Sequence, residues 1–218
     1  MSEQVNTGAQ KPQTTWGEYN QIIFAVQQAI AKLQTATLVR VEACTNDGDL
    51  SPVGFVDVLP LVNQIDGSGN PTPHAVVYGL PYLRIQGGAN AVIIDPQPGD
   101  IGLAVFASRD ISKVKSTKAQ ANPGSYRSYD FSDGIYLGGI LNGVPTQFVR
   151  FGTDGITVTS ETAITLNAPA ITLEGGDVTI AQNLTVIGAI VGAGINLQTH
   201  VHESTATHPL PLTSEPIP

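Results

Sequence analysis

The chain has 218 residues, a formal net charge of −8 and only 13 % charged residues. That length suits one large domain or about two to three small ones, and an acidic chain is a poor electrostatic partner for nucleic acid. Its single cysteine, Cys44, excludes an internal disulfide, and no run approaches the ~18 apolar residues of a membrane span.

The first segment, "MSEQVNTGAQKPQTTW", is polar and lacks the apolar stretch of a secretory signal. Synthesis in a cytoplasm is therefore expected, with residues 1–15 disordered. A helix is expected over 16–36. Thr15 and Glu18 have capping-box spacing, and Ile22, Val26, Ala29, Ile30 and Leu33 recur at helical spacing, with Ile23 and Phe24 widening the apolar face. Such a stripe packs either on the protein's own core or on copies of itself.

Over 37–110 the pattern changes to strands. "TLVRVEACT" alternates Val39, Val41 and Ala43 against Arg40, Glu42 and Cys44. "VGFVDVLPLV", "HAVVYGLPYLRI", "NAVIID" and "DIGLAVFAS" add four more apolar runs. Five short strands separated by Gly and Pro turns fit a small barrel of the oligonucleotide/oligosaccharide-binding (OB) type. Cys44 reads as a structural or solvent-facing thiol rather than a reactive one, and the Asp47/Asp49 pair as a turn, because full calcium-loop spacing is missing.

Residues 111–150 read as an irregular connector and the start of a shaft. Arg109, Lys113, Lys115, Lys118 and Arg127 are half of the ten basic residues and lie close to several tyrosines. Basic plus aromatic residues can bind single-stranded nucleic acid, but a solvated connector fits the acidic chain better. After Arg150 there is no Lys or Arg, while six Asp or Glu follow. This shift marks a domain boundary.

Residues 151–197 carry a repeat. Ile156-Thr157-Val158, Ile164-Thr165-Leu166, Ile171-Thr172-Leu173, Val178-Thr179-Ile180 and Leu184-Thr185-Val186 follow one another at steps of 8, 7, 7 and 6 residues. Period-2 alternation makes each triplet a short strand, with Thr on one face and aliphatic residues on the other. One chain cannot bury those faces. Three chains wound together close the tube, leave no open edge and form a rod of about six levels, roughly 30 Å long. The small residues of "IGAIVGAGIN" then let three backbones converge on an axis.

Residues 198–218 form the apex. In an extended segment His200 and His202 point to one side. Three chains offer six imidazoles, a set that suits octahedral iron or another first-row ion better than four-coordinate zinc. His74 and His208 are not expected to be ligands. Asp154, Glu161, Glu174 and Asp177 are scattered over turns of the repeat, without the paired geometry of a glycosidase, so no enzyme is expected. No Phe, Tyr or Trp follows Phe151, which disfavours the alternative of a sugar-binding tail fibre or adhesin.

Three stretches carry a family resemblance. They are "SPVGFVDVLPLV" with "PGDIGLAVFASRDISK" and "SDGIYLGGI", then "DVTIAQNLTVIGAIVGAG", then Thr199-His200-Val201-His202. Together, over roughly residues 16–202, they resemble the central spike of contractile phage tails, the baseplate assembly protein V and membrane-piercing spike family. The resemblance implies a mainly β homotrimer, with an OB-like collar, an intertwined triple-stranded β-helix and a metal-capped tip. One iron ion per trimer would be held by His200 and His202 of three chains, and buried calcium or chloride in the shaft is compatible with the same plan. The implied partners are the baseplate hub, the tail tube and, transiently, the host outer membrane, with no nucleic acid. The implied location is the tail-baseplate tip of the virion.

Overall fold

A computed structural model describes residues 17–66, 68–192, 195–197 and 199. The chain divides into two compact units, Met1–Phe148 and Val149–Pro218.

The first unit opens with helix α1 (Glu18–Ile30). Gly17 precedes it at φ 84°, and no side chain caps it. Thr15 lies outside the described residues. The helix buries none of its residues. Five residues then lead into β1 (Ala36–Cys44), and the backbone N–H of Gln34 donates to the carbonyl of Tyr129 at 3.0 Å.

The remaining strands of this unit are β2 (Phe55–Pro60), β3 (Gln64–Ile65), β4 (Pro71–Thr72), β5 (Val77–Pro81), β6 (Ile85–Gly87), β7 (Asn90–Val92), β8 (Ile101–Phe106) and, after helix α2 (Ser112–Thr117), β9 (Gly134–Gly139). Five of them form an antiparallel sheet in the order β5-β2-β1-β8-β9. The sheet curls until its two edges touch. A parallel bridge joins Tyr82, just after β5, to Tyr136 of β9, and the Leu83 N–H donates to the Tyr136 carbonyl at 2.8 Å. The result is a partly closed half-barrel.

Its core is made by alternate residues of the long strands: Val39 and Val41, Val56 and Val58, Leu80 and Tyr82, Ala104 and Phe106, and Tyr136. The alternation expected for β1 breaks after Val41. The register against β2 shifts between Val41 and Ala43, so Ala43 turns outward and Cys44 packs against the core opposite Val56. A bulge of this kind changes which parity faces inward.

Two strand expectations change. "NAVIID" does not join the sheet: its first residues form β7, which pairs only with β6 in an exposed two-stranded arm. The fifth place belongs to β9, inside the stretch expected to be an irregular connector. There Gly134 and Tyr136 face inward, so the inward positions of β9 do not look aliphatic.

Tyr136 is almost wholly buried, and burial pushes its phenol up to about 12. Gly102 of β8 makes room for it. A Cβ at Gly102 would collide with the Tyr136 ring and hydroxyl and with the carbonyl of Gly138. Because one of these obstacles is backbone, the clash cannot be relieved by a rotamer change. Gly102→Ala is expected to destabilise the first unit by about 1–3 kcal/mol, read from a denaturant melt of the full chain.

In the second unit, β10 (Phe148–Gly152) and β11 (Gly155–Thr159) form a hairpin across Thr153 and Asp154. Gly155 adopts φ 117°, a conformation that favours glycine. The final pair is β12 (Val191–Gly192) and β13 (Ile195–Asn196).

Candidate functional site: an unpaired apolar repeat

Between Thr159 and Val191 the described residues contain no strand. Every residue from Glu161 to Gly192 is exposed. This is the stretch whose composition is most strongly that of strands. The ten aliphatic residues of the five triplets, from Ile156 to Val186, remain between 40 % and 71 % exposed. The first triplet lies in β11 and pairs with β10, but the other four have neither a strand partner nor cover for their aliphatic face among the described residues. Completing their burial is worth about 1 kcal/mol for each side chain, on the order of 10 kcal/mol per chain. Repeats with steps of 6 to 8 residues gain such cover when they stack against further strands.

The polar clusters of the first unit are built for structure. At the barrel end, the Tyr82 hydroxyl donates to Asp95 Oδ1 at 2.6 Å, and Arg84 Nη2 reaches the same oxygen at 2.5 Å. Arg84 Nη1 donates to the Ser51 carbonyl at 2.6 Å, and the Gly48 N–H donates to Asp95 Oδ2 at 3.0 Å. Asp95 thus anchors the Asp47–Asp49 turn to the barrel. Burial pushes the Asp95 carboxyl up, but the Tyr82, Arg84 and Gly48 hydrogen bonds together hold it below its ordinary value.

The second cluster lies in the basic segment. Arg127 donates through Nε to Asp133 Oδ2 at 2.6 Å and through Nη2 to Asp110 Oδ1 at 2.9 Å. Asp110 also accepts from the Ser112 N–H at 2.8 Å and the Ser125 hydroxyl at 2.7 Å. Hydrogen bonds from Ser112 are the leading cause that holds the Asp110 carboxyl well below the usual carboxylate range. Arg109 donates to the Ser128 hydroxyl at 3.1 Å. Lys115 Nζ donates to the Gly79 and Ser132 carbonyls, so three of the segment's cations are committed to intramolecular partners. Sequence spacing gave no sign of the Asp110–Arg127–Asp133 cluster, whose members are 6 to 23 residues apart.

His200 and His202, the expected metal ligands, lie outside the described residues, as does His208. His74 contacts the Val62 carbonyl through Nε2 at 3.1 Å and packs edge-on against Phe131. Among the described residues no group of three or more His, Cys, Asp or Glu is placed to hold a metal ion.

The repeat has a counterpart among known families. Residues 118–192 match the Gp138 beta helical trimerization domain. The match covers about a third of the chain and includes all five triplets. It supports a homotrimer, and it supports a phage-associated structural role rather than an enzymatic one. No curated protein matches the chain.

Proposed function

We propose that this chain is the central spike of a contractile phage tail. Three copies form a collar, wind into an intertwined β-helical shaft and end in a metal-capped apex, which is driven mechanically through the host outer membrane. The observation that carries this reading is the uncovered repeat: ten aliphatic side chains, at least 40 % exposed in one chain, within a stretch that matches a trimerization domain. The collar reading is supported by the strand order. Among the five long strands the third and fifth meet in parallel, and all other neighbours are antiparallel. A five-stranded sheet that curls until its edges meet is what a partly open OB barrel would require.

The proposed partners are the baseplate hub and the tail tube. Immunogold labelling of contracted and uncontracted tails with an antibody to this chain tests the assignment. Label at the tail tip, on the tube axis, is expected. Label on peripheral fibres would instead identify the chain as a trimeric receptor-binding fibre.

For the apex, the donor set is the argument. His200 and His202 of three chains supply six neutral nitrogen ligands, a set that suits an octahedral first-row ion such as iron. Such an ion would tie three chain ends together. Elemental analysis of untagged protein is expected to give about one third of an iron atom per chain, and about zero for His200→Asn/His202→Asn. An iron-free wild type would leave the shaft intact and remove the metal from the proposal.

A further inference from the structure

Helix α1 presents its stronger face to nothing among the described residues. Tyr19, Ile22, Ile23, Val26, Ile30 and Leu33 are between 38 % and 75 % exposed. At 100° per residue the five that lie within α1 fall, with Ala29, on a single arc about 120° wide, and Leu33 follows just past the helix end. On the other side of the helix Asn20, Phe24 and Gln28 are half-buried. The helix therefore sits with its weaker face inward and its aliphatic stripe outward. Phe24, expected to widen that stripe, belongs to the opposite side.

We infer that α1 docks on α1 of the other two copies, forming a short parallel three-helix coiled coil at the amino-terminal end of the trimer. Three observations favour this occupant over a different protein. Tyr19, Ile22, Val26, Ala29 and Leu33 have the alternating 3- and 4-residue spacing of a coiled-coil seam, with Ile23 and Ile30 flanking it. The stripe carries no charge, since the only charged residues from Glu18 to Leu33 are Glu18 and Lys32. It thus contains nothing to repel an identical copy and nothing that selects a partner of opposite charge. Finally, residues 118–192 match a trimerization domain, so three identical stripes are held in one assembly.

That tether matters energetically. A helix of 13 residues is too short to hold a coiled coil at ordinary protein concentrations. Linked through a trimer, its association becomes intramolecular, at millimolar effective concentration. The helix bundle would clamp the collar end while the repeat closes the shaft.

This inference rests on the homotrimer, so its test reports both. In full-length Cys44→Ser protein, Ala29→Cys places a thiol on the seam. Ala31→Cys places one on the opposite side, exposed to solvent. Both proteins are weighed by sedimentation and then oxidised. The expected result is a trimer in both cases, with about tenfold more disulfide-linked dimer in Ala29→Cys than in Ala31→Cys. A trimer whose two variants cross-link equally poorly overturns the coiled coil while sparing the trimer, and assigns the stripe to another baseplate protein. A monomer overturns the trimer itself. Val26→Asp supplies a second reading, because it should remove helical ellipticity without changing the trimer mass. Unchanged ellipticity would count against the bundle.

Discussion

Ile171→Asn is expected to dissociate the assembly at micromolar concentration, while Thr172→Asn, one residue further on, leaves it intact. The contrast follows from the two faces of a strand. In the proposed shaft Ile171 points to the axis, so three copies share one layer, whereas Thr172 points to water. Truncating a buried aliphatic side chain costs about 2–5 kcal/mol. An amide left without partners in its place adds about 1–3 kcal/mol. Three symmetry-related copies bring the total to roughly 10 kcal/mol or more per trimer. The whole repeat has on the order of 10 kcal/mol of apolar burial per chain to draw on, most of it offset by the entropy of ordering an extended backbone. One disrupted layer is therefore a large share of the net. Sedimentation velocity of the two variants separates the faces. Equal behaviour would show that the triplets do not alternate between interior and solvent.

The second large effect is expected at Arg84. Its side chain is 3 % exposed and that of its partner Asp95 is fully buried. Arg84→Met removes one of the three donors to the Asp95 carboxylate and leaves a charge in the barrel end. Breaking a buried pair from one side is far more damaging than removing both members. The thermal midpoint of the full chain should fall by roughly 10 °C, and Arg84→Met/Asp95→Leu should recover most of the loss. If the double variant is as unstable as the single one, the cost lies in the Ser51 and Gly48 contacts rather than in the unpaired charge.

The same group makes the fold acid-sensitive. Asp95 and Asp110 are both held below the ordinary carboxylate value of 3.8 in the folded chain. Their contribution is fully present above that value and is lost as pH falls through the depressed folded values. Stability should drop steeply below about pH 4, and the drop should be shallower in Arg84→Met/Asp95→Leu.

What the amino-acid order reveals depends on where each segment finds its partners. The strands β1 and β2 are legible because Val39, Val41, Val56 and Val58 stand at every second position and meet other strands of the same chain, and β5 and β8 stand out as apolar runs, although the inward positions of β8 are Gly102, Ala104 and Phe106. β9 is not, because its inward positions are Gly134 and Tyr136 and its obvious aliphatics, Ile135 and Leu137, face the other way. "NAVIID" misleads in the opposite direction. It is as apolar as a barrel strand, yet Val92 and Ile94 are exposed on and beside the β6–β7 arm. The parity change in β1 was hidden as well, because a bulge depends on the partner strand and not on the residues that bulge. In the repeat the spacing and alternation are plain, but the cover they need comes from other chains. Ion pairs to buried carboxylates are the least legible features, since Arg84 and Asp95, like Arg127 and Asp110, are brought together only by the closed fold.

The central claim is that the aliphatic faces of residues 151–197 are buried by two further copies of this chain. The most direct test is the mass of the full-length protein in solution by sedimentation equilibrium, across a range of concentrations. Three chains of 22.8 kDa give about 68 kDa, and that value is predicted to persist on dilution. A stable, soluble 22.8 kDa monomer would contradict the account, because the repeat would then stand uncovered in water.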